Sequence, residues 1–301
     1  MASRSRDLDS TARAAAFAPW LASIGNWQLA ELLGEGRWCR VYRARPAARD
    51  AGTPADYAVK LVKPATAPDA LAIRLLQREA VVARQVSHPN LTSILSARLH
   101  RSPHYVVMPY LEGQPLETAL APKRRLACSD AISIARQTAE AMTALHAEGW
   151  VHSDVKPGNI FVGSTGHVTL LDLGLARRIG RTDEAEASAL AGTLAYSAPE
   201  AFASVDELGP AMDVYSLGVT LYRMVTGVLP FPQTDPAALV TAQLHHHPPN
   251  PRPFNPTLDD GILCLLDAML DKHPERRPVL GELVQWLNEL DTDDREQRVA
   301  A

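Results

Sequence analysis

Cysteine is scarce: Cys39, Cys128 and Cys264 are the only three among 301 residues. An odd number at wide spacing argues against a disulfide scaffold or a zinc site and fits free thiols in a reducing compartment, so the chain is read as cytoplasmic. Long apolar runs are absent too, none approaching the roughly 20 residues needed to cross a bilayer. The stretch Ala14 to Gly25 follows Arg4, Arg6 and Arg13, but Asp7 and Asp9 sit among those arginines and Pro19 interrupts it, which argues against a signal peptide. Nor is there an excess of one charge. The 30 basic and 34 acidic residues are interspersed and leave a formal charge of -4, so no nucleic acid and no membrane is expected as a partner.

What is present is enough apolar material, 46% of the chain, for one large core or two small ones. Residues 1–26 are expected to form a flexible arm and residues 291–301, acidic then basic without periodicity, a disordered tail. From Trp27 the pattern is short strands with turn residues between them, as in Asp56 to Val62 and Tyr105 to Met108. One helix is inserted: Asp69 is its N-cap candidate, Leu71, Leu75, Val82 and Val86 recur at helical spacing, and Ser87-His88-Pro89 ends it. After Gly113 the periodicity turns helical. Ile132, Ile134, Ala139, Met142 and Leu145 mark an amphipathic helix, and Val214, Leu217, Val219, Leu221 and Met224 a nearly all-apolar one that should lie centrally. Between them, Asn159 to Val162 and Val168 to Leu171 are strand candidates joined by the turn sequence Gly163-Ser164-Thr165-Gly166.

Gly34-Glu35-Gly36-Arg37-Trp38-Cys39-Arg40-Val41 lies between two strands, where its backbone could fold over an anion and donate N–H groups to phosphates. Two glycines between strands ordinarily make only a hairpin. Lys60 closes the run Ala58-Val59-Lys60, and Glu79 is the only acidic residue between Asp69 and Glu112. A lone Glu on a helix is ordinarily solvated, so these signals need a further motif to carry meaning.

That motif is Val151-His152-Ser153-Asp154-Val155-Lys156-Pro157-Gly158-Asn159, followed by Leu171-Asp172-Leu173-Gly174 and, downstream, Ala198-Pro199-Glu200. In this order the elements resemble those of the protein kinase family, over roughly residues 27 to 290, and are most similar to compact bacterial Ser/Thr kinases. The resemblance implies an α+β, bilobal protein-kinase fold: a small antiparallel sheet with one regulatory helix at 27–108, a hinge at 109–112, and a larger, mainly helical lobe at 113–290. It implies a Ser/Thr protein kinase that transfers the γ-phosphate of ATP to protein hydroxyls, with Mg²⁺ as cofactor and Mn²⁺ as its substitute, ATP and a protein substrate as partners, and a homodimer left open.

Residue by residue, the resemblance assigns Asp154 to accept the substrate hydroxyl proton, Asn159 and Asp172 to hold the metal, and Lys156 to steady the γ-phosphate. Lys60 would hold the α- and β-phosphates with Glu79 as its partner. Leu33, Gly34 and Gly36 would cover the nucleotide, Val41 and Ala58 sandwich adenine, and Met108, Pro109 and Leu111 bound its pocket and edge. Ordinary strand packing would give Val41 and Ala58 the same sequence appearance. Thr193, in the substrate-positioning segment Gly192 to Glu200, favours Ser/Thr specificity together with Lys156. Glu200 would pair with a buried arginine, Arg277 with Arg276 as alternative, Asp213 would brace the catalytic loop, and His152 would pack behind Leu173 as a structural group.

Two positions depart from the family pattern. Cys39 stands where a third glycine is usual and is read as a packed thiol, and Ser153 replaces the arginine that usually precedes the catalytic aspartate, which removes a phosphate receptor and puts the mode of regulation in doubt. His245-His246-His247 reads as a solvated helix terminus, since adjacent side chains diverge too far to share a metal. Two other functional classes share parts of this pattern. A pseudokinase scaffold would ordinarily lack Lys60, Asp154 or Asp172, and a small-molecule phosphotransferase would not need the segment from Thr193 to Glu200.

Overall fold

The computed structural model describes residues 23–48, 54–63, 70–180, 194–203 and 209–300. The chain falls into two compact units, one made of Met1–Leu76 and Ile94–Tyr110, the other of Gln77–Ser93 and Leu111–Ala301.

Alternating apolar residues make the first unit a sheet. Its strands are β1 (Ser23–Ile24), β2 (Trp27–Glu35), β3 (Cys39–Pro46), β4 (Tyr57–Val62), β5 (Ser96–Arg98) and β6 (Tyr105–Pro109). They pair antiparallel in the order β1-β2-β3-β4-β6-β5. The pleat turns Leu29, Tyr42, Val59, Leu61 and Val107 to one face, where they bury together with Ile24, Ala44 and Tyr105. β1 corrects the end of the expected arm at 1–26, whose residues 1–22 lie outside the described residues. Ser23 pairs with Gln28 and Ile24 with Trp27, because Gly25 takes the positive φ of 56° that the tight turn demands, and Ile24 gains a place in the core.

Helix α1 (Ala70–Gln85) begins in the first unit and ends in the second; its expected N-cap, Asp69, lies outside the described residues. The second unit then contains β7 (Gly113–Pro115), α2 (Leu116–Ala119), α3 (Cys128–Ala147), β8 (Trp150–Val151), β9 (Ile160–Gly163), β10 (Val168–Leu170), β11 (Arg177–Arg178), α4 (Glu200–Ala203), α5 (Ala211–Thr226), α6 (Pro236–His245), α7 (Asp260–Met269) and α8 (Leu280–Ala300). As its all-apolar run predicts, α5 is central, with only Ala211 and Arg223 not buried. Gly218 permits close helix packing there: a Cβ at this position would lie 2.9 Å from Cβ of Met269.

Two further boundaries differ from the sequence reading. Val82, Val86 and Leu91 bury in the same core as α3 and α5, and Asn90 Nδ2 donates to Val168 O at 2.6 Å, so Gln77–Ser93 belongs to the second unit rather than to a lobe running through 27–108. The expected disordered tail is corrected as well, since α8 continues to Ala300. No glycine or proline follows Gly281 to break the helix. No helix among the described residues is long and apolar enough to cross a membrane.

Candidate active site

In the second unit the loop after β8 is fixed from beneath by one carboxylate. Asp213, fully buried on α5, accepts the backbone N–H of His152 at 2.8 Å through Oδ2 and that of Ser153 at 2.9 Å through Oδ1. His146, in the last turn of α3, approaches the same Oδ2 at 2.8 Å with Nε2. Burial pushes the Asp213 carboxyl up, but the hydrogen bond and charge of His146, with His152 behind them, outweigh it and hold the pKa below its ordinary value. Asp213 therefore stays ionised and keeps both oxygens as acceptors.

His152 is buried and has a structural role. Its Nε2 lies 3.0 Å from Leu171 O and its Nδ1 accepts the backbone N–H of Asp154 at 3.2 Å, so the ring ties the loop to the residue before Asp172. The ring's polar contact is to the Leu171 carbonyl, two residues before the fully buried Leu173. Ser153 between them has φ 67°, and Asp172 has φ 61°. Of the three non-glycine residues with positive φ among those described, two flank the proposed chemistry. Such backbone costs on the order of 1–3 kcal/mol and persists only where surrounding contacts enforce it.

Asp154 is 6% exposed, and its carboxylate meets Lys156 Nζ at 2.9 Å and 2.8 Å. Asn159 Nδ2 donates both to Asp154 O and to Asp154 Oδ2, each at 2.8 Å. Both amide hydrogens are thereby spent on Asp154, which leaves Asn159 Oδ1 as a hard oxygen donor. The β9–β10 register places Leu170 opposite Ile160, and Leu171 N donates to Asn159 O at 2.8 Å, so Asn159 and Asp172 emerge at the same end of the hairpin. An amide oxygen and a carboxylate fit a hard divalent cation whose remaining ligands are waters and phosphate oxygens. Among the described residues no group of three or more His, Cys, Asp or Glu could hold a metal, the triplet His245-His246-His247 at the end of α6 included.

In the first unit, pairing register decides which side chains share a face. Val41 lies opposite Lys60, Lys60 opposite Val106, and Ala58 opposite Met108. Cross-strand partners and residues two apart point the same way, so Val41, Ala58, Lys60 and Met108 occupy the face opposite the Val59–Leu61 core. Val106, fully buried on that face, was missed; the alternation in Tyr105–Pro109 would have found it. Gly34 pairs with Val41, Gly36 N donates to Cys39 O at 2.9 Å, and Leu33, Gly34 and Gly36 are all exposed. Glu35 closes this turn through Lys63 at 2.6 Å and Arg40 at 3.3 Å. Cys39 is half-buried at the start of β3, and Pro109 ends β6 opposite Tyr57.

Glu79 is buried on the part of α1 that belongs to the second unit, and Leu111 opens that unit after Tyr110. Thr193 lies outside the described residues. Glu200 pairs with Arg277, not Arg276: Nη1 meets Oε1 at 2.6 Å and Nη2 meets Oε2 at 2.8 Å, both residues buried.

The family model of the protein kinase domain matches residues 27–287. The chain is 31% identical over 266 residues to a probable serine/threonine-protein kinase of Clostridium perfringens, covering 86% of this chain and 38% of that protein. It is 33% identical over 258 residues to the serine/threonine-protein kinase PknA of Mycobacterium tuberculosis, covering 84% and 58%. With the hormonally up-regulated neu tumor-associated kinase of Homo sapiens it shares 30% identity over 271 residues, covering 88% and 37%. The chain thus spans between 37% and 58% of the length of these relatives.

Proposed function

Since the chain belongs to the protein kinase domain family, we propose that it is a Ser/Thr protein kinase acting on protein substrates. The observation that carries this reading is the cluster of Asp154, Lys156 and Asn159, joined by hydrogen bonds at 2.8–2.9 Å on a loop that Asp213 clamps. Phosphoryl transfer asks little covalent work of a protein. It asks for an oriented alcohol and neutralised phosphate charge. A substrate hydroxyl oxygen attacks the γ-phosphorus, the bond from that phosphorus to the bridging oxygen breaks, ADP departs, and the hydroxyl proton passes to the Asp154 carboxylate. Lys156, already 2.8 Å from that carboxylate, can shift from it to the transferred phosphoryl group.

ATP and a divalent metal go with the family. Mg²⁺ is the ion proposed, Mn²⁺ its substitute, and Asn159 Oδ1 with the Asp172 carboxylate would hold it. When bound, it supplies positive charge against the phosphate oxygens. Lys60 is assigned to the α- and β-phosphates with Glu79 as its partner, Thr193 to Ser/Thr specificity, Leu33, Gly34 and Gly36 to covering the nucleotide, and Val41, Ala58, Met108, Pro109 and Leu111 to adenine, all on the family resemblance. The odd number and wide spacing of the three cysteines support a cytoplasmic location.

The test is ³²P incorporation into a generic basic protein by the purified chain with Mg-ATP. Asp154→Asn and Lys60→Met should each lose at least about a hundredfold in rate, the scale of removing one positioned charge from a preformed site. Near-normal incorporation by Asp154→Asn would overturn the assignment. ATP binding without any transfer by the unaltered chain would mark a binding module instead.

A further inference from the structure

Gln243 is a fully buried amide near the end of α6, and a buried amide must spend its donors and acceptor on protein. Its Nε2 donates to Ala195 O at 3.0 Å and to Leu194 O at 3.4 Å. Its Oε1 accepts from the hydroxyl of Tyr215, which is fully buried on α5. The same hydroxyl oxygen accepts from Lys272 Nζ at 3.1 Å. Lys272 is held in place by aromatic faces, 4.4 Å from the ring centroid of Phe231 and 5.4 Å from that of Tyr215. Phe231 in turn belongs to a small cluster with Leu239 and Ala242, against which Leu194 and Ala195 pack. The result is a one-way donor chain: ammonium to phenol, phenol to amide, amide to two carbonyls. Its direction is enforced at the head, because an ammonium has no lone pair and can only donate, so Tyr215 must send its own hydrogen to Gln243.

The carbonyls at the far end belong to the turn Leu194–Tyr196, next in sequence to Thr193 and a few residues before Glu200. We propose that Lys272, Tyr215 and Gln243 are positioning residues that fix this turn for docking of the protein substrate, and that the protonation of Lys272 switches the chain between a connected and a broken state. The inference rests on the phosphotransfer reading above for the meaning of the turn, but not for the existence of the switch.

Burial first and the charge of Arg277 second, opposed by Asp271, together bring the Lys272 amine down from 10.5 to about 8. The charged and titratable groups around it are Arg277 with its partner Glu200, Asp271, the Tyr215 phenol, and the exposed His273–Glu275 pair at 3.7 Å. Burial pushes Tyr215 well above its ordinary value, so it remains a donor throughout. Once Lys272 loses its proton, the neutral amine gains a lone pair and competes for the Tyr215 hydrogen. Gln243 then loses the contact that orients it toward Leu194 and Ala195.

The experiment measures the peptide KM, the ATP KM and kcat between about pH 7 and about pH 9, bracketing the Lys272 transition. The unaltered chain should show the peptide KM rising about fivefold with the ATP KM flat, Tyr215→Phe a peptide KM raised about tenfold at every pH, and Lys272→Met no inflection. Amide protection factors across residues 194–198, with the intrinsic rise of exchange with pH divided out, give a readout that needs no activity: they should fall between about pH 7 and about pH 9 in the unaltered chain and be low and flat with pH in Tyr215→Phe, with thermal melts confirming that both variants fold. An inflection that survives in Lys272→Met, or exchange and peptide KM in Tyr215→Phe within twofold of the unaltered chain, would overturn the proposal. If instead Asp154→Asn matches the unaltered chain in transfer, the phosphotransfer reading fails, and the exchange data still decide the switch.

Discussion

Asp213 holds Ser153 in a backbone conformation that serine rarely takes: Oδ1 accepts its N–H at 2.9 Å while φ stands at 67°. Because Oδ2 takes the neighbouring N–H of His152 at 2.8 Å, a single carboxylate satisfies two donors of the loop that carries Asp154. An asparagine in its place offers one acceptor and turns an NH₂ toward the second donor. Asp213→Asn should therefore cost about 1–3 kcal/mol, the penalty of one buried unsatisfied N–H, and lower turnover because the loop loses its clamp. The pH dependence has a definite sign. Burial works to raise this carboxyl, but His146 and His152 hold it below its ordinary 3.8, so its contribution is present above the unfolded-state value and is lost as pH falls through the lower folded value. The stability gap between the unaltered chain and Asp213→Asn should narrow as pH falls below about 4, which urea midpoints at neutral and acid pH will show. A gap independent of pH would mean that Asp213 does not lose its charge in that window.

Activity should not depend on phosphorylation of the segment that follows β11. Ser153 offers a phosphate no cationic fork, and its hydroxyl is turned back to Val151 O at 3.5 Å. Thr182 and Ser188, the acceptors expected in that segment, lie outside the described residues. The phosphatase-treated Thr182→Ala, Ser188→Ala double variant should keep its activity on a generic basic substrate. A fall to the background of Asp154→Asn would show that phosphorylation is required and that an arginine outside the catalytic loop receives it.

The ordered motifs were legible because each is a contiguous run whose chemistry does not depend on packing: His152 to Asn159, Asp172 to Gly174, Ala198 to Glu200. The shared face of Val41, Ala58, Lys60 and Met108 needed the pairing register, because the two-residue period of a strand does not say which strands are neighbours. Packing decided the rest. Arg276 and Arg277 are adjacent and chemically identical in sequence, and only the burial of one selects the partner of Glu200. The end of α1 carries the same helical period throughout, yet Val82 and Val86 join the second core. His146 and Gln243 gave no signal at all, since a lone polar residue on a helix reads as solvated until a buried partner is found. The tail after Leu290 misled because charge without apolar periodicity suggests disorder, whereas a run without glycine or proline can prolong a helix begun upstream.

Arg277 has all five of its N–H groups engaged, which makes its pair with Glu200 sensitive to the shape of the cation as well as its charge. Nη1 donates to Glu200 Oε1 at 2.6 Å and to Ala211 O at 2.9 Å, Nη2 to Glu200 Oε2 at 2.8 Å and to Lys272 O at 3.4 Å, and Nε to Asp271 O at 2.8 Å. The guanidinium carbon also lies 4.9 Å from the ring centroid of Tyr215. A lysine supplies three donors from one point and cannot span these acceptors, so Arg277→Lys should lose nearly as much stability as Arg277→Met. Either single removal should cost about 3–5 kcal/mol, because it leaves a buried partner uncompensated. The double variant Glu200→Gln, Arg277→Met removes both charges and should cost clearly less than the sum of the two singles. Urea unfolding of the four proteins in a double-mutant cycle measures this directly: a coupling energy near zero would mean the pair contributes no more than an exposed one, despite its burial and its bidentate geometry.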